Sequence, residues 1–115
     1  MIKIKLFHIL CTIIVLLLIS CAPVGKKVND DSIGFIWIPK ANCIICKEQL
    51  SNLLESNKGI TSFEIHINEK IILLSYNYKK TGMDDIHQLI ASYGHKTDKF
   101  DPNPAALVNL PDCCK

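Results

Sequence analysis

The chain has 115 residues and a formal net charge of +2, with thirteen basic residues, all of them lysine, against eleven acidic ones. A chain of this length has room for one small domain. The absence of arginine removes the bidentate fork used for phosphate and guanine, and no lysines cluster into a basic stripe, so the composition argues against a nucleic-acid partner.

Met1 to Lys5 forms a short positive opening, and the mostly apolar run from Leu6 to Ile19 is shorter than the ~20 residues of a membrane-crossing helix. This is the pattern of a signal-peptide core. The run ends in Leu18-Ile19-Ser20-Cys21, which resembles the bacterial lipobox. The resemblance implies a signal peptide over 1–20, cleavage before Cys21, lipidation of the Cys21 thiol and a mature chain of 95 residues. Lipid at Cys21 makes the membrane a permanent partner, since each buried CH₂ contributes ~0.8 kcal/mol. Ala22 stands where, in such lipoproteins, Asp signals retention in the inner membrane, so the expected location is the outer membrane, facing the periplasm. Without Lys3 and Lys5, the remaining lysines balance the acidic residues and the mature chain is formally neutral. Residues 21–32 are expected to be the lipidated N-terminus and a polar tether, with the folded unit starting near Ile33.

Ile33 to Ile38 is short, rich in Ile and aromatic residues, and closed by Pro39, which predicts a strand. The loop from Lys40 to Cys46 follows. From Cys46 to Ser56, Leu50, Leu53 and Leu54 fall at helical spacing among polar residues, predicting an amphipathic helix stopped by Asn57-Lys58-Gly59. Ile60, Phe63, Ile65 and Ile67 alternate with polar residues, and Asn68 to Lys70 turns the chain into Ile71 to Tyr78, predicting a β-hairpin. Thr81 to Asp84 begins a second helix with Ile86, Leu89, Ile90 and Tyr93 on its apolar face, ended by Gly94. A short last strand is expected around Lys96 to Phe100. The element order is βαββαβ, the ferredoxin-like arrangement: an α+β fold with a four-stranded antiparallel sheet and two helices on one face.

Cys43 and Cys46 form a C-x-x-C between a strand and a helix. The partial positive charge and unpaired N–H groups of a helix N-terminus favour thiolates, and thiolates are the ligands soft metals prefer. A lone exposed pair points to Cu(I) or Hg(II) ahead of Zn²⁺, whose structural sites use four ligands. The strand, the C-x-x-C loop, the helix, the stretch from Gly59 to Asn68, Ile72 to Asn77 and the closing Tyr93-Gly94 together resemble the heavy-metal-associated domain over about residues 33–100. Copper metallochaperones, the N-terminal modules of copper-exporting ATPases and the periplasmic mercury-binding protein look like this. Ile36 and Ile38 stand seven and five residues before Cys43, where that family places aliphatic residues. The resemblance implies a monomeric domain that holds a soft ion, Cu(I) foremost, for transfer, buffering or detoxification. A metal transporter or another metal-binding domain is the partner it implies.

The family loop usually reads Gly-Met-Thr or Gly-Met-Ser before the first cysteine, whereas this chain has Lys40-Ala41-Asn42, with Ala41 in the place of a core-plugging Met. After Gly94, where the family has Tyr or Phe, stands His95. It reads either as a third or hydrogen-bonding ligand beside the cysteine pair or as a solvated loop histidine. His66, on a polar strand position, reads as solvated. The tail, 101–115, breaks regular structure at Asp101-Pro-Asn-Pro104 and ends in Cys113-Cys114-Lys115. From Phe100 to Cys113 it can extend roughly 40 Å, enough to fold back over the metal loop. There Cys113 and Cys114 either add thiolates, admitting Zn²⁺ or a Cu(I) cluster, or form disulfides with each other or with another molecule.

Two further classes of function use the same cysteines: a thiol–disulfide oxidoreductase and a disulfide-stabilised structural lipoprotein. Against the enzyme, no aromatic directly precedes Cys43, no Pro lies between the cysteines, and the following elements are too short for a thioredoxin fold. Asp84 and Asp85 are explained by the helix N-terminus they open, and no Gly-x-Ser-x-Gly or HExxH pattern is present. The chain is therefore read as a binder and not an enzyme.

Overall fold

A computed structural model describes residues 1–19 and 30–115. Ile2–Ile19 form one helix, α1, whose apolar side chains from Ile2 to Leu18 stand exposed. Among the described residues no helix is long and apolar enough to cross a membrane. Cys21 and most of the expected tether lie outside the described residues.

The folded unit begins two residues earlier than expected, with β1 at Asp31–Trp37. It continues through α2 (Ile44–Glu55), β2 (Ile60–His66), β3 (Ile71–Asn77), α3 (Met83–Ser92) and α4 (Pro104–Leu107), and ends in a single 3-10 turn over Asp112–Cys114. The three strands form one antiparallel sheet in the order β1-β3-β2. The predicted β-hairpin is β2 and β3, and its turn places Lys70 in the left-handed region, at φ 58°.

Strand alternation sorts the sheet into two faces. Ile36 lies opposite Ile72, which lies opposite Ile65 on the other side, and all three are buried. Leu50, Leu53 and Leu54 of α2 and Ile86 and Ile90 of α3 close over this face in one core with Ile38 and Ala41. Ile33, Phe35 and Trp37, with Leu73 opposite Phe35, occupy the outer face and are exposed.

Three expectations need correction. Among the described residues the sheet has three strands, not four, because Lys96 to Phe100 curls into a turn. The Thr97 hydroxyl accepts from the backbone N–H groups of Lys99 and Phe100, and the N–H of Thr97 donates to the Phe100 carbonyl. These local bonds compete with a ladder. Only Asp98 reaches β1, its N–H donating to Trp37 O while its carboxylate accepts from Trp37 N–H. Helix α2 starts at Ile44, so Cys43 occupies the N-cap position and Cys46 falls in the first turn instead of opening the helix. On α3 Ile86, His87, Ile90 and Ala91 are buried and Leu89 packs against the core, whereas Tyr93 is exposed.

The tail is packed. Gly94, at φ 96°, turns the chain out of α3. Asn103 donates its N–H to Ala91 O and caps α4 through Oδ1, which accepts from Ala105 N–H at 2.9 Å. Pro104 stands in the first turn of α4, where a missing N–H costs nothing. Leu110 then packs against the core and leads into the terminal turn.

Candidate metal centre

The C-x-x-C loop is held from beneath by Ala41, which is buried and donates its N–H to Ile38 O at 3.1 Å. Cys43 has extended backbone angles, and its carbonyl accepts from Lys47 N–H. Cys43 is half-buried, and Cys46, one turn on, is fully buried.

The tail completes the site from the other side. Asn42 N–H donates to Cys113 O at 3.2 Å, and the terminal turn seats Cys114 at 1% exposure. The four sulfurs of Cys43, Cys46, Cys113 and Cys114 all lie within 4.8 Å of one another. They are paired across the two segments as Cys43–Cys113 and Cys46–Cys114 disulfides, with Cα–Cα distances of 5.9 and 5.7 Å. Between the two bonds, Cys43 Sγ is 3.3 Å from Cys46 Sγ and 3.9 Å from Cys114 Sγ.

The tail therefore folds back over the loop, as its length allows. Its cysteines are bonded neither to each other nor to another molecule but to the C-x-x-C pair. Disulfide sulfurs have no thiolate charge to offer a cation. Reduction supplies four thiolates in one place, next to the unpaired N–H groups of the α2 N-terminus. A tetrahedral thiolate site with metal–sulfur bonds near 2.3 Å needs sulfurs about 3.8 Å apart. Two of the four unbonded pairs already stand at 3.3 and 3.9 Å and the other two lie within 4.8 Å, so the two bonded pairs are the ones that must separate.

His95 is not among the side chains that converge on the sulfurs. It is 3% exposed, so it is not a solvated loop residue either, and burial pushes its pKa below the ordinary value. It lines a cleft with Gln49, Asn52 and Leu110. His66 is exposed, with Nε2 3.2 Å from Glu64. A third histidine, His87, escaped the sequence reading: it is 1% exposed, with Nδ1 2.9 Å from Thr97 Oγ1 and 3.8 Å from the Asp98 carboxylate. It anchors the turn that replaces the fourth strand.

No family model matches the chain, and no curated protein matches it. Among solved structures, the crystal structure of oxidised MerP from Ralstonia metallidurans CH34 is similar, with a TM-score of 0.56 at 12% identity. The likeness covers 59% of this chain and 94% of that one. The chain shares with MerP an α+β fold built on an antiparallel sheet. Its own four cysteines cluster at the N-terminus of α2.

Proposed function

We infer that this chain binds a soft heavy-metal ion through Cys43 and Cys46 once they are reduced, with Cys113 and Cys114 as further ligands. The observation that carries this reading is the convergence of four sulfurs within 4.8 Å at a helix N-terminus. Two thiolates from the loop suit Cu(I), which is our first choice. All four together also suit Zn²⁺, whose structural sites take four tetrahedral ligands, while Hg(II), like Cu(I), is served by the soft thiolates themselves. The ion is cargo for transfer, buffering or detoxification, exchanged with the thiolates of a transporter or a second metal-binding domain, and the chain performs no catalysis.

The reading places the domain outside the cytoplasm, carried on lipid at Cys21 at the outer membrane. Paired cysteines are in keeping with an oxidising compartment. The test is an anaerobic Cu(I) competition titration of the reduced chain beside a Cys43→Ser/Cys46→Ser variant, with Zn²⁺ and Hg²⁺ in parallel. Near-stoichiometric binding that the variant loses by at least a hundredfold is expected. Equal binding by the two would remove the loop pair from the site.

A second reading has an observation of its own. The two loop-to-tail disulfides are what a structural lipoprotein stapled by cystines would contain. Failure of the fully reduced chain to take up any of the three metals would favour it.

A further inference from the structure

The two disulfides differ in access and are stacked closely enough to react with each other. Cys43 and Cys113 are half-buried, while Cys46 and Cys114 are 0% and 1% exposed. A reductant in solution meets the Cys43–Cys113 bond first. The sulfur it frees on the loop side, Cys43 Sγ, stands 3.3 Å from Cys46 Sγ and 3.9 Å from Cys114 Sγ. The nearer sulfur is the one whose attack expels Cys114.

We propose that Cys43 is an internal nucleophile that relays reduction from the exposed disulfide to the buried one, so that one two-electron reduction releases the whole tail. A dithiol supplies the electrons. Its first thiolate attacks the Cys43–Cys113 bond at either sulfur, and its second thiol resolves the mixed disulfide, leaving the dithiol oxidised and both Cys43 and Cys113 as thiols. Cys43, giving up its proton, then attacks Cys46 Sγ. The Cys43–Cys46 bond forms, the Cys46–Cys114 bond breaks, and Cys114 takes up a proton as it leaves. The net change is two electrons and two protons, as for any single disulfide reduction.

The product is a third state of the molecule. Its loop is closed on itself as a C-x-x-C disulfide, and its tail carries two adjacent free thiols. The number of free thiols at the site thus steps from none to two to four, with the first two both on the tail. This chemistry does not depend on metal binding, so its failure and that of the metal-binding reading are separable.

The lysines permit a direct test. Cleavage after lysine places Cys43 and Cys46 together in one peptide, 41–47, and Cys113 and Cys114 together in another, 100–115. The full chain, purified in detergent, is treated with limiting dithiothreitol without metal, quenched with acid, alkylated, cleaved and weighed. The expected half-reduced species yields separated peptides, the loop peptide two hydrogens light and the tail peptide carrying two alkyl groups. Peptides still joined, with one alkyl group on each, would mean that Cys46–Cys114 survives and would overturn the relay. Separated peptides with both alkyl groups on the loop, or no half-reduced species at all, would overturn it too. In the Cys113→Ser variant Cys43 begins free, so the loop and tail peptides should separate with no reductant added and Cys114 should be alkylated. If they stay joined through Cys46–Cys114, the proposal fails.

Discussion

His87 and His95 are buried, and desolvation is the main reason both pKa values lie below the ordinary one. For His87 the neighbouring Lys99 acts in the same direction, while Asp98 and Asp84 oppose it without overcoming burial. A histidine neutral in the folded chain and charged in the unfolded one stabilises the fold above its unfolded pKa, about 6.5, and loses that contribution as pH falls below it. Urea unfolding of the oxidised chain should therefore show stability that is level above about pH 7 and declines as the pH falls to 5.5, with the decline reduced in His87→Gln. An unchanged unfolding midpoint between pH 7.5 and 5.5 would refute this. Neither histidine declared its role in the sequence. His87 sits one position from Ile86, and a strict i, i+3, i+4, i+7 reading assigns the inward place to Leu89 and Tyr93. Leu89 does pack against the core, but Tyr93 is exposed, and the helix also buries His87 and Ala91, with Thr97 offering the imidazole a buried partner.

At the scale of elements, the tail is positioned by the exit from α3. Gly94 has φ 96°, and a Cβ there would lie 2.9 Å from Ala106 C and Leu107 N. Both conditions demand glycine: the left-handed angle disfavours an L side chain, and backbone of α4 fills the space. Gly94→Ala should lower stability by about 1–3 kcal/mol, read as a shifted urea midpoint, and should loosen α4 first. Equal protection of 104–110 from hydrogen exchange in both forms would contradict that order. Strands and helices up to this point follow local rules of alternation and helical period, which is why β1, the hairpin and α2 were readable. The strand expected at Lys96 to Phe100 is a turn instead, because that stretch holds one large apolar residue and a threonine able to satisfy its own neighbours.

For the whole molecule, the two disulfides close nearly the same long loop, with sequence separations of 70 and 68. Loop-closure entropy makes the first such bond worth about 4 kcal/mol, whereas the second closes only a ring of a few residues and adds about 2 kcal/mol. Cys46→Ala/Cys114→Ala should therefore cost about half as much as the further removal of Cys43–Cys113 by reduction. Urea curves of the wild-type chain, the double variant and its reduced form check this, and equal steps would refute it.

Alternation in the strands, helical spacing in α2, the C-x-x-C beside a helix N-terminus and the α+β order all depend on residues within a few positions of one another, and they could be read from the chain alone. The union of Cys43 with Cys113 and of Cys46 with Cys114 could not. It exists only after the Gly94 exit, the Asn103 cap and the packing of Leu110 have carried the tail across the core, and no local pattern records a contact made 70 residues away.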